Sequence, residues 1–124
     1  MTAIGNPVVG AGNIVLSQIA FNSQSASYTL VLSDASKWVG ISNASANTLT
    51  VPKNSSVAYV VGTQIIIEQQ GAGLMTVAPV DGNVTINSRG SALKMGGQYA
   101  TAVLTLETVS APATTWNLSG DITP

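Results

Sequence analysis

Any reaction carried by this chain would have to start from five carboxylates, Asp34, Glu68, Asp81, Glu107 and Asp121, because histidine and cysteine are both absent. Without histidine a Ser-His-Asp set cannot be assembled, and the commonest general base and metal ligand is gone. Without cysteine there is neither a thiolate nucleophile nor a disulfide framework. General acid–base work needs two carboxyl groups that converge on one bond. Asp34, Asp81 and Asp121 stand in turn contexts, where aspartate caps its own backbone. Glu68 and Glu107 are the pair that could meet across strands. Asp81-Gly82-Asn83 is similar to a fragment of a calcium loop, but the remaining ligands are missing, so it reads as a turn. The expectation is a protein that is not an enzyme and holds no cofactor and no metal.

Binding residues are scarcer still. Trp38 and Trp116 could stack on a sugar ring if both were exposed together; the competing expectation is that both are core or interface residues. Four basic residues against five acidic ones leave a net charge of −1, which offers no basic stripe for nucleic acid. Asn-x-Ser/Thr triplets begin at Asn43, Asn54, Asn83 and Asn117, but nothing in Met1–Pro7 has the charged and apolar regions of a signal peptide. The longest apolar run, Val57 to Ile67, is broken by Gly62, Thr63 and Gln64 and is short of the roughly 20 residues of a membrane span. Synthesis in the cytoplasm, with no membrane partner, is expected.

Charge is the informative quantity. Charged residues make up 7 % of the chain, where a soluble domain has about 25 %. Serine, threonine, asparagine, glutamine and glycine supply the polarity instead. Such a surface lacks the repulsion that keeps monomers apart, so much of it is expected to be covered in an assembly.

The elements that would position these residues are strands. With 124 residues, the chain suits one domain. Thr63 to Pro79 is its central stretch: Ile65, Ile66 and Ile67 suit a pleated surface, Gln69-Gln70-Gly71-Ala72-Gly73 breaks the run, and Leu74 to Ala78 resumes it up to Pro79. This predicts a hairpin whose glycines take positive φ, with Ile66 covered by the domain or by another copy. Further strands are expected at Tyr28–Leu32, Lys37–Ile41, Thr48–Val51, Val84–Ile86, Gln98–Glu107 and Thr115–Leu118, with Asp81-Gly82 as a second hairpin signal. No helical period of ten residues and no convincing internal repeat is present. The expected fold is all-β: a single compact antiparallel β-sandwich or barrel-like domain over residues 28–124, with an extended N-terminal arm over residues 1–27. That arm is too apolar for a free tail. Its Ile4, Val8, Val9, Ile14, Val15, Leu16, Ile19 and Phe21, with Ile66 of the central stretch, are the interface candidates.

From Tyr28 onward the chain resembles a small β-domain that recurs in virion proteins of tailed bacteriophages. The matching pieces are Tyr28 to Lys37, Asn43 to Pro52, Gly62 to Ile65, Gln69 to Gly73, Gly97 to Ala102 and Trp116 to Asp121, spread over about three-quarters of the chain. No catalytic or metal residue comes with the resemblance. In tail-fibre proteins such a domain is one module of a long chain. Here it fills the chain from close to Met1, which suits a head decoration, or cement, protein. The resemblance therefore implies a homotrimer on the outer capsid surface of the virion, clamping neighbouring copies of the major capsid protein. The alternatives are a tail or fibre adhesion module that binds host-surface glycans through Trp38 or Trp116, and a coat subunit itself.

Overall fold

The computed structural model describes residues 18–124. Eleven strands follow one another: β1 (Phe21–Gln24), β2 (Tyr28–Thr29), β3 (Trp38–Ile41), β4 (Asn47–Val51), β5 (Gln64–Gln69), β6 (Met75–Pro79), β7 (Val84–Ser88), β8 (Lys94–Met95), β9 (Thr101–Ser110), β10 (Ala113–Gly120) and β11 (Ile122–Thr123). They form a six-stranded sheet in the order β1-β3-β5-β9-β10-β7 and a five-stranded sheet in the order β11-β8-β6-β4-β2. The two sheets pack as a sandwich, so the all-β expectation holds. Among the described residues the only helical pieces are short 3₁₀ turns at Leu32–Asp34 and Arg89–Ser91.

Alternation along each strand decides which side chains meet between the sheets. Val39 and Ile41 of β3, Ile65 and Ile67 of β5, and Ala102, Leu104 and Leu106 of β9 face Leu49 and Val51 of β4 and Met75 and Val77 of β6. Each such side chain contributes about 1.5–3 kcal/mol on leaving water. β9 is the longest strand, with the parity that its sequence predicts.

The central stretch differs from the expected hairpin. β5 and β6 do not pair; they belong to opposite sheets. The chain turns between the sheets as an arch, and three such arches stack. β1 lies parallel to β3 and β3 to β5 in one sheet, while β2 lies parallel to β4 and β4 to β6 in the other. Within the last two arches the register is constant: Trp38 meets Ile66 and Asn47 meets Met75, each 28 positions apart. An internal repeat therefore exists, carried by strand spacing and not by residue identity. The sandwich is accordingly mixed in strand sense rather than antiparallel, with β7 and β10 parallel as well.

Stacked corners explain the glycines. A Cβ on Gly71 would lie 2.3 Å from the Asn43 carbonyl oxygen, and one on Gly73 would lie 2.0 Å from that of Ser45. Neither glycine has a positive φ; close approach of one corner to the next is what requires them. Buried Gln69 clips the corner from inside. Its Nε2 donates to the Gly71 carbonyl at 3.1 Å, and its Oε1 accepts the Met75 N–H at 3.0 Å.

Three further expectations change. Asp81-Gly82 turns the chain from β6 in one sheet to β7 in the other, so it closes no hairpin. The strand expected over Tyr28–Leu32 stops at Thr29, because Leu32–Asp34 coils into a 3₁₀ turn that leaves Leu32 exposed. Phe21–Gln24, assigned by sequence to the arm and its linker, is instead an edge strand of the six-stranded sheet. The folded unit thus begins before residue 28.

Candidate interaction surface

The carboxylates do not converge. Glu68 pairs with Thr101, and Glu107 stands six positions further along β9, roughly 20 Å away at strand rise. Among the described residues no group of three acidic side chains could hold a metal ion. Asp81 is a turn former, as its context predicts. Its Oδ1 accepts the Asn83 N–H at 2.8 Å, and Lys53 Nζ lies 3.2 Å from its Oδ2. The Asn83 N–H foremost, and then Lys53, hold its carboxyl below the usual carboxylate range.

Asp34 does more than turn the chain. It is fully buried. Its Oδ1 accepts Asn22 Nδ2 at 2.8 Å, and its Oδ2 accepts the Tyr28 hydroxyl at 2.8 Å and the Val31 N–H at 2.9 Å. Asn22 lies on β1 and Tyr28 on β2, so this one carboxylate ties the first arch to the loop that follows it. Burial foremost, and the Asp34 contact next, raise the Tyr28 hydroxyl above the ordinary tyrosine value. Tyr59 is raised further, again by burial first and by Asp34 second. Its hydroxyl donates to the Val31 carbonyl, and its ring meets Trp116 edge-on at 5.5 Å.

The tryptophans part company. Trp116 is 1 % exposed in the core, which removes it as a glycan-stacking candidate. Trp38 lies on the outer face of the six-stranded sheet. There a row runs across four strands: Phe21 beside Trp38, Trp38 beside Ile66, and Ile66 beside Val103. The Phe21 and Trp38 rings are 5.7 Å apart and tilted by 38°. Gly40 makes room for this packing, since a Cβ there would lie 2.8 Å from Gln70 Cδ and 2.9 Å from Phe21 Cζ. Trp38 Nε1 is buried without a hydrogen-bond partner among the described residues. Ile66 is half-buried in this row, not covered on both faces as the three isoleucines suggest. Only Ile65 and Ile67 point into the core.

A second apolar surface was not foreseen in the sequence. Val31, Leu32, Val60 and Val61 are all exposed, Val60 by 75 %. The Tyr59 hydroxyl on the Val31 carbonyl holds the two loops together, so the four side chains share one end of the sandwich. The Gly62 N–H donates to the Leu106 carbonyl at 2.8 Å, which fixes this end against β9. The only sequence signal was the valine-rich Val57 to Val61, which has no strand period and forms no strand.

Of the arm candidates, Ile19 and Phe21 are exposed side chains beside and within β1. Ile4, Val8, Val9, Ile14, Val15 and Leu16 lie outside the described residues. No known protein family matches the chain, and no curated protein matches it either.

Proposed function

We propose that this chain is a virion structural protein of a tailed bacteriophage: a decoration protein that binds the major capsid protein on the outer capsid surface and acts as a homotrimer. The observation that carries the proposal is the loop end of the sandwich, where Val31, Leu32, Val60 and Val61 stand exposed on a chain with only 7 % charged residues. Contiguous exposed aliphatic side chains of this kind mark protein–protein contacts. The resemblance of Tyr28 to Asp121 to phage virion domains supplies the setting. In this reading the loop end seats on the capsid lattice, the row Phe21–Trp38–Ile66–Val103 joins the copies of the trimer, and the arm residues from Ile4 to Leu16 add a further hold. The mechanism is burial of apolar surface, repeated by each subunit so that avidity multiplies modest contacts. No bond is made or broken.

The test is co-sedimentation of a Val60→Asp variant with empty heads. Val60 supports nothing in the core, so the variant folds; placing a carboxylate in the contact should lower head binding by about tenfold or more. Undiminished binding would remove the loop end from the contact. Binding to tails or host cells instead of heads would favour the adhesion module, with Phe21 and Trp38 as its aromatic platform.

A further inference from the structure

At the far end of β10 from the aliphatic loops, a cleft of about 330 Å³ opens between the edges of the two sheets, lined by Arg89, Asn117, Leu118, Ser119, Gly120 and Ile122. The assembly reading makes no use of it. Arg89 is the chain's single arginine. It follows β7 directly and sits in a tight turn in which Gly90 has φ 65° and Ser91 φ 57°. A left-handed conformation is uncommon at serine. Among the described residues the ion pair is Lys53–Asp81, so no carboxylate neutralises the guanidinium. Asp121, next to the cleft in sequence, instead has its Oδ1 against Gly96. Asn117 and Ser119 alternate with buried Leu118 and so face outward from β10. Gly120, with φ 139°, also lines the cleft and is required there by close packing on β9: a Cβ would lie 2.6 Å from both the Ala102 Cα and the Thr101 carbonyl oxygen.

We propose that this cleft binds an acidic sugar residue through its carboxylate. A guanidinium presents a planar fork that matches a carboxylate with two N–H···O bonds. The Asn117 amide and the Ser119 hydroxyl offer both donors and acceptors to ring hydroxyls. Ile122 supplies an apolar wall for the C–H face of the ring. The volume lies at the small end of ligand sites and suits one monosaccharide unit. A carboxylate is what the unpaired guanidinium adds to the recognition of a neutral sugar, and the ring hydroxyls are what Asn117 and Ser119 can bind beyond a bare inorganic anion. The site is independent of the capsid contact and of the Phe21–Trp38 pair.

The experiment is a heteronuclear NMR titration of the full chain with sodium glucuronate, with glucose and sodium sulfate as comparison probes. Saturable shifts confined to Arg89, Asn117 to Gly120 and Ile122 are expected with glucuronate. Arg89→Ala should weaken that binding by about tenfold or more, and Arg89→Lys should restore only part of it because the fork is lost. Arg89 is exposed, so an unchanged spectrum of the free variants will show that they remain folded. No saturable shift, equal shifts with glucose, sulfate binding as tightly as glucuronate, or an Arg89→Ala variant that binds like the original chain would each overturn the assignment.

Discussion

Tyr59 shows how much one side chain organises here. Its ring stands against Trp116 in the core, while its hydroxyl holds the Val31 loop. Burial, with Asp34 nearby, raises its ionisation above the ordinary value of 10.0. Unfolded, the phenol loses its proton near that value; folded, it keeps it. The folded state then binds more protons, so the stability is fully present below pH 10 and falls as the pH rises toward the folded value. Denaturant unfolding across alkaline pH should show a loss approaching about 1.4 kcal/mol per pH unit from this residue, with a smaller contribution of the same sign from Tyr28. Tyr59→Phe should flatten the slope while lowering stability at neutral pH through the lost bond to Val31. A slope unchanged in the variant would mean that the phenol is open to water. Asp34 belongs to the same cluster. Its turn context was legible in the sequence, but its burial was not, because the partners Asn22 and Tyr28 come from other strands and leave no local trace.

At the scale of elements, the arches depend on corners that stack. Gly73→Ala puts a methyl group 2.0 Å from the Ser45 carbonyl oxygen, so either the β5–β6 corner or the β3–β4 corner must move. A loss of about 2–4 kcal/mol in denaturant unfolding is expected. A loss below about 0.5 kcal/mol would contradict the stacked corners, since surface positions free of such contacts change stability by no more than that. The inward parity of β4 and the two opposed faces of β9 could be read from the chain because alternation reports faces directly, whereas Ile65, Ile66 and Ile67 of β5 suggest two covered faces. Partner choice could not: Ile65 to Ile67 and Leu74 to Ala78 alternate equally well as a hairpin or as an arch. What separates the two is contact of Gly71 and Gly73 with Asn43 and Ser45, which are distant in sequence. The 28-position step leaves no mark in residue identity for the same reason, since Trp38 and Ile66, or Ile41 and Gln69, share a place in the stack without sharing chemistry. The outer row has its own test. Trimer contacts through Phe21, Trp38, Ile66 and Val103 predict that Ile66→Asp keeps the fold, because Ile66 is only half-buried, but runs as a monomer in light scattering at micromolar concentration. A variant that stays trimeric would place the subunit contact elsewhere.

At the scale of the whole molecule, a sandwich poor in charge carries two apolar surfaces that water does not favour. β1 at one sheet edge reads Phe-Asn-Ser-Gln and carries none of the lysines that usually guard an edge, which fits a chain that works in an assembly. The core and the layer architecture were legible because they follow from periodicity. The loop end was not, because Val31, Leu32, Val60 and Val61 become one surface only when Tyr59 draws two loops together. The central claim is that this surface and its copies bind capsids. It is tested most directly by adding purified full-length protein to empty heads of the phage to which the proposal assigns it, and measuring bound copies by quantitative sedimentation together with the melting temperature of the heads. Saturation at a copy number comparable to that of the coat protein and a rise in melting temperature are expected. Heads that take up only a handful of copies, or none, and melt unchanged would contradict the claim.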